Sequence, residues 1–196
     1  MRCLIAVAIP SALVILAAGC GSGPAARFYT LSAAPSGAAA PSDISVAVGP
    51  VTVPAAVDRP QIVVRVSPNQ VRLDEFNRWA SPLQNDIARA VAENLVALLG
   101  TPRVTLSAQT VQADADYRAA IEVQRFESAP GDAATLEAVW TVSRTKDGGS
   151  RTGRTTAREP TPDQGFDSLV AGHSRAVGRL SQDIADAVRA LAGSGQ

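Results

Sequence analysis

The sequence predicts an α+β domain, a two-layer sandwich in which two amphipathic helices pack on one face of a mixed, mostly antiparallel sheet. Three observations lead there. Residues 82–99 and 166–191 carry apolar side chains at helical spacing. Most other apolar stretches between 43 and 157 alternate with polar residues at the period of a strand. Several of these strands follow one another across short turns instead of alternating with helices, and two amphipathic helices need a sheet face to cover.

The first strand signal runs from Asp43, where Ile44, Val46 and Val48 alternate with Ser45 and Ala47. After Gly49-Pro50 the apolar positions become Val51 and Val53, so the parity flips. A flip at a residue with no amide hydrogen to donate predicts a bulge or edge kink. Residues 62–66, the turn Ser67-Pro68-Asn69 and residues 70–73 then read as a hairpin. The helix over 82–99 has Ser81 and Gln84 spaced as a capping box around Pro82, an apolar stripe of Leu83, Ile87, Val91, Leu95 and Leu98, and Gly100 as its stop.

Four more strands are predicted at 103–107, 117–126, 135–143 and 151–157. The last three form a meander joined at Ala129-Pro130-Gly131-Asp132 and Lys146-Asp147-Gly148-Gly149. Leu136, Ala138, Trp140 and Val142 share one face, whereas 151–157 is almost wholly polar, which suits an exposed edge. Thr161-Pro162-Asp163-Gln164 repeats the capping pattern before a stripe of Phe166, Val170, His173, Val177, Leu180, Ile184, Val188 and Leu191.

The N-terminus has a different character. Arg2 precedes an apolar run over 4–18, broken only by Pro10 and Ser11 and too short to span a bilayer comfortably, so residues 1–19 read as an export signal. The ending Leu16-Ala17-Ala18-Gly19-Cys20, followed by Gly21-Ser22-Gly23-Pro24, resembles the lipobox of bacterial lipoproteins. Ala17 stands where that motif most often has Leu. The expectation is acylation at Cys20, with Gly, Ala, Ser and Pro over 20–42 forming a lipidated N-terminus and flexible tether, and a single domain over 43–193. One island, Phe28-Tyr29-Thr30-Leu31, looks like a short strand. Docked into a sheet, it would shorten the free leash to residues 21–27, at most about 25 Å.

Cys3 leaves with the signal, so the mature chain has no second thiol for an internal disulfide and is stabilised by core burial. The chain has 18 basic and 18 acidic residues, and loss of Arg2 leaves a formal charge of −1. No bulk field draws it to nucleic acid.

Composition also restricts chemistry. One histidine, and one mature cysteine expected to be acylated, supply neither a zinc site nor a conventional nucleophile and base. Gly172-His173-Ser174-Arg175-Ala176 faintly resembles a hydrolase nucleophile elbow, yet it sits inside a continuous helical stripe and lacks the closing glycine. His173 is expected to pack at the core boundary. Asp114 and Asp116 have the spacing of strand neighbours and form a weak candidate for a cation, with a solvated loop as the alternative. Arg144, Lys146, Arg151, Arg154 and Arg158, against the single acid Asp147, could touch acidic partners or headgroups, or simply guard a sheet edge. Asp58-Arg59-Pro60, Arg65 and Arg78-Trp79 combine charge with rigid or bulky neighbours, as interface anchors do. Intradomain ion pairing and a core tryptophan are the alternative for these residues.

Val48-Gly49-Pro50-Val51, then Asp58-Arg59-Pro60-Gln61-Ile62-Val63-Val64-Arg65, then Arg78-Trp79-Ala80-Ser81-Pro82-Leu83, preceded by Phe28-Tyr29-Thr30-Leu31 and followed by the closing helix, resemble in order the signature of the bacterial ABC-type transport auxiliary lipoproteins, the PqiC group. The resemblance covers nearly the whole mature chain. It implies an accessory subunit of an MCE-type lipid transport system, anchored on the periplasmic face of the outer membrane, with an MCE-domain protein as partner and homo-oligomerisation as an open expectation. It implies no catalysis, cofactor or metal. A stand-alone envelope-binding lipoprotein is the alternative, and a hydrolase the more distant one.

Overall fold

The computed structural model describes residues 24–107 and 115–194. Its elements in chain order are β1 (Arg27–Tyr29), β2 (Val46–Thr52), β3 (Gln61–Ser67), β4 (Gln70–Trp79), α1 (Leu83–Leu99), β5 (Val104–Leu106), β6 (Tyr117–Ala129), β7 (Ala133–Arg144), β8 (Ser150–Pro160) and α2 (Phe166–Gly193). Eight strands form one mixed sheet, curled into a half-barrel, with both helices against it.

The α+β class follows the expectation, but the flat two-layer, mostly antiparallel arrangement is corrected. β1 pairs with β4, β2 with β5 and with β6, and β3 with β6, all parallel. Only β3–β4, β6–β7 and β7–β8 are antiparallel. The predicted hairpin and meander supply the antiparallel pairs because tight turns reverse the chain. The parallel pairs join strands distant in sequence, which need a long connection, and α1 lies in the one that leads from β2 to its parallel partner β5. β6 shares its second edge between β2 along its first half and β3 at Ser128, and that sharing helps bend the sheet.

The parity flip in β2 is observed. The ladder to β6 shifts register between Val48 and Val51, around a cis Gly49–Pro50 peptide and a Gly49 φ of 126°. α1 has no side-chain cap: Pro82 itself occupies the capping place, and its carbonyl accepts from the amides of Asn85 and Asp86. The Ser81–Gln84 capping box is therefore corrected. Gly100 ends the helix in the left-handed conformation, φ 64°, as expected. At the start of α2, Gly165 holds the capping place and Asp163 accepts from the Gly165 amide and the Ser168 hydroxyl.

The core lies between the sheet and the two helices. Leu83, Ile87, Val91, Leu95 and Leu98 of α1 and Val170, Val177, Leu180, Ile184 and Val188 of α2 are buried against Leu136, Ala138, Val142, Ile121 and their neighbours. Among the described residues no helix is long and apolar enough to cross a membrane.

The island at 28–31 is docked in the sheet. Arg27, Phe28 and Tyr29 pair with Asn77, Arg78 and Trp79. Beyond them the chain does not swing free, and the tether reading of 30–42 is corrected. The Leu31 amide donates to Asp86 Oδ2 at 2.6 Å, the Ser32 amide to Ser174 Oγ at 3.1 Å and the Ala34 amide to Asn94 Oδ1 at 2.8 Å. The Ala39 and Ser42 amides reach the carbonyls of Ala97 and Gly100. The segment is a strap across α1 and α2, held through its backbone, so its Ala- and Ser-rich composition carries no apolar signal of docking.

Candidate functional site

Three pieces of the signature meet at the C-terminal end of β4. The Trp79 amide donates to the Pro60 carbonyl at 2.7 Å and the Ala80 amide to the Tyr29 carbonyl at 2.8 Å, which brings residues 28–31, 58–61 and 78–83 side by side. Two prolines shape the local chain: Pro54 accepts from the amides of Val57 and Asp58, closing a turn, and Pro82 opens α1. Between them lies a cleft of about 320 Å³ lined by Asp58, Arg59, Pro60, Trp79, Ala80, Ser81 and Pro82.

Trp79 forms the floor of this cleft and is itself 5% exposed. Its ring meets Phe126 edge-on at 6.0 Å and 70°, and His173 at 6.3 Å and 72°. Trp79 is thus a core tryptophan whose edge reaches the surface. Arg59 is half-buried, its Nε is shielded from solvent, and that atom has no hydrogen-bond partner among the described residues. No ion pair holds its guanidinium among the described residues. A guanidinium nitrogen shielded from water and left without an acceptor is unusual, because buried polar atoms normally find a partner. Arg78 shares the buried, unpartnered Nε and has only a 3.6 Å approach to Glu75. Asp58 is exposed at the rim.

Arg65 lies apart. It stands four residues beyond Gln61, where β3 begins, about 13 Å away at strand rise, and is engaged by Glu127 at 2.8 Å and Asp132 at 3.0 Å. Its role in the described structure is to tie the β3 edge to β6 and the β6–β7 turn. Cys20 lies outside the described residues, as does Asp114.

The carboxylate of Asp116 is taken up by Ser45, which donates from both its amide (2.9 Å) and its hydroxyl (2.6 Å). The Ser45 hydroxyl and amide hold its pKa below the usual carboxylate range. It fastens the start of β6 to the start of β2. In the basic stretch, Arg144 pairs with Asp147, Arg154 with Glu137 and Arg158 with Asp132. Local pairing accounts for these three, within the β7–β8 turn for Arg144, across β7 and β8 for Arg154 and onto the β6–β7 turn for Arg158; Lys146 and Arg151 are exposed.

A pair that sequence reading missed joins His173 to Ser128, with Nε2 and Oγ 2.8 Å apart. The distance is that of a nucleophile and its base, but both are shut in the core, at 0% and 2% exposure. His173 stacks on Phe126 at 3.9 Å and 9°, its Nδ1 has no partner among the described residues, and burial pushes its pKa down to about 3. A base that weak, with no orienting acid and no path for substrate, is unsuited to activating a hydroxyl. Ser174 turns elsewhere, donating to the Val170 carbonyl and accepting from the strap. His173 lies deeper than the core boundary expected for it, since α2 packs over the Trp79–Phe126 cluster.

A family model described as the ABC-type transport auxiliary lipoprotein component matches residues 29–185. A search among curated proteins finds no match. An uncharacterized protein of known crystal structure is similar at 19% identity with a TM-score of 0.69, over 84% of this chain and 99% of that one. Protein XCC0632 from Xanthomonas campestris, of the DUF330 family, is similar at 18% identity and TM-score 0.65, over 87% of this chain and all (100%) of that one. These likenesses concern the fold. A PelC dodecamer from Paraburkholderia phytofirmans gives a TM-score of 0.38 at 16% identity, over 74% of this chain and 92% of that one.

Proposed function

The chain belongs to the family of ABC-type transport auxiliary lipoproteins, and from that premise we propose that it is a lipid-anchored accessory subunit of an MCE-type, Pqi-like lipid transport system. Acyl groups on Cys20 hold it on the periplasmic face of the outer membrane, and the cleft at Asp58, Arg59 and Trp79 docks the MCE-domain protein. The reading gives the chain no catalytic step and no cofactor. The observation that carries it is the half-buried, unmatched Arg59 above an apolar floor, built where the signature segments converge. Such a site suits an apolar side chain flanked by a carboxylate. Buried charge pairing and aromatic contact are what interface anchors supply. Anchoring concentrates this docking surface near its partner, so two modest interactions act together. Several copies arranged around a ring-shaped MCE partner would extend the same logic, and native mass spectrometry of the detergent-purified protein counts them.

The test is copurification from detergent-solubilised envelopes. The expected eluate contains an MCE-domain protein, and Arg59→Glu depletes it while the thermal midpoint stays nearly unmoved. A collapsed midpoint assigns Arg59 to structure, and an eluate without any MCE-domain protein favours a stand-alone envelope-binding lipoprotein. Separately, Cys20→Ala is expected to keep the fold and lose transport; full transport by that soluble form refutes tethering.

A further inference from the structure

Seven large apolar residues are exposed among the described residues, and five of them, Phe28, Val66, Val71, Leu73 and Phe76, belong to the ribbon formed by β1, β4 and β3. Their placement follows from register. Ile62 and Val64 point into the core, so Gln61, Val63 and Arg65 face away from it. Leu73 stands opposite Val63 and Val71 opposite Arg65, on that same outer face. Phe28 lies beside Arg78, which pairs with Gln61 and so continues the face. The register shift between Gln61 and Ile62 leaves Phe76 protruding, and Val66 sits at the hairpin end. Phe28 is 64% exposed and Val71 60%, values that a monomer has no reason to concentrate on one edge ribbon. The outward surfaces of the helices carry Arg89, Glu93, Arg175, Arg179, Asp186 and Arg189 instead.

The occupant is identified by where the chain leads. β1, which opens this ribbon, begins seven residues after Cys20, so its distance from an acylated Cys20 is at most about 25 Å. We infer that the outer face of the β1–β4–β3 ribbon lies on the phospholipid surface that receives the anchor, with the apolar side chains at the headgroup–acyl boundary. Exposed Arg27, at the start of β1, then sits at headgroup level. An acyl chain alone gives reversible attachment, and an apolar patch beside it is the kind of second contact that makes attachment stable and fixes orientation. This inference rests on the anchored reading above. It adds an orientation: the ribbon faces lipid, while α1 and α2 do not.

The experiment uses the acylated full chain in vesicles of phosphatidylethanolamine and phosphatidylglycerol. A single added thiol, at Val71→Cys, Val66→Cys or the exposed control Thr156→Cys on β8, carries an environment-sensitive fluorophore; the sulfur of acylated Cys20 is not available to it. At positions 71 and 66 the emission is expected to shift to the blue and to be quenched by shallow nitroxide lipids several-fold more than at 156, and Phe76→Asp is expected to reduce that quenching. Equal quenching at 71 and 156 overturns the inference. So does a blue shift at 71 without lipid quenching, which would mean that protein, such as a second copy, covers the face. Co-flotation with the vesicles separates the two levels of failure. A chain that floats but fails the quenching test loses only the orientation, and one that does not float loses the anchor with it.

Discussion

Acidification gives a sharp test of the buried histidine. With the unfolded pKa near its ordinary 6.5 and the folded value pushed down to about 3 by burial, the unfolded chain binds the proton first as pH falls. Above pH 6.5 both states are neutral at this site and it contributes no pH dependence. Between 6.5 and 3 the unfolded state gains protons that the folded state refuses, so stability is lost progressively. At pH 6 the loss is about 0.8 kcal/mol and at pH 5 about 2 kcal/mol, taking 1.36 kcal/mol per pKa unit. Carboxylates held low in the fold, such as Asp116, lose their stabilisation by protonation at lower pH. The subtraction that isolates the histidine is wild type minus His173→Phe, a ring that keeps the stack on Phe126 and does not titrate. Urea unfolding of both at pH 8, 7, 6 and 5 is expected to show the wild type losing about 2 kcal/mol more than the variant across that span. Any constant offset, from leaving the Ser128 hydroxyl unmatched, cancels. A difference that stays flat from pH 8 to 5 would refute the burial argument.

Three further outcomes follow from close approaches in the fold. Gly178→Ala would ordinarily gain helix propensity of about 1 kcal/mol, but its Cβ would stand 2.4 Å from the Ala34 carbonyl oxygen. The expected result is a net loss of about 1 kcal/mol and faster proteolysis within 31–42; a stabilised, equally resistant variant would disprove the strap. Gly153→Val drives a side chain into the Trp140 ring, whose Cζ2 would lie 2.2 Å from the new Cβ. It should cost about 2–3 kcal/mol in urea unfolding, with altered tryptophan emission. Asp86→Ala removes the acceptor of the Leu31 amide and the partner of Arg89 at 2.6 Å. A loss of about 3 kcal/mol, with faster hydrogen exchange at Leu31, is expected, and slow exchange there would show that the strap holds without it.

Local chemistry made much of this fold readable. Gly49-Pro50 announced the kink in β2, Gly100 the end of α1, and the two Gly- and Asp-containing turns the β6–β7–β8 meander, because each is decided by a few residues' own backbone preferences. Parallel pairing was not readable. Nothing at Arg27 specifies Asn77 as its neighbour, and nothing at Val46 specifies both Val104 and Tyr117; those registers are settled by how the helices cover the sheet. The pairing of Asp132 with both Arg65 and Arg158 was hidden for the same reason, its members coming from three different strands or turns. At the candidate site the residue types were legible and their division of labour was not. Arg59 and Trp79 were singled out together, yet only three-dimensional packing places one as an unmatched cation at a cleft and the other beneath it.

The strap shows most clearly why composition misleads. Residues 32–42 contain hardly any large apolar side chain, and on transfer energetics alone they should remain solvated. They dock because α1 and α2 present buried polar acceptors along the strap's path: the Leu31 amide reaches Asp86 Oδ2, the Ser32 amide Ser174 Oγ and the Ala34 amide Asn94 Oδ1. A strap amide withdrawn from water without such an acceptor would cost about 1–3 kcal/mol, so the helices' own polar residues are what hold the strap. The sequence clue lies in α1 and α2 rather than in the strap, as Asp86 and Asn94 within a buried helical face and small Gly178 and Ser181 across from them. For an anchored protein the consequence is mechanical. On the anchored reading proposed above, a pull on Cys20 would enter the domain at β1 and pass at once to Asp86 and the strap, joining the attachment to the centre of the fold.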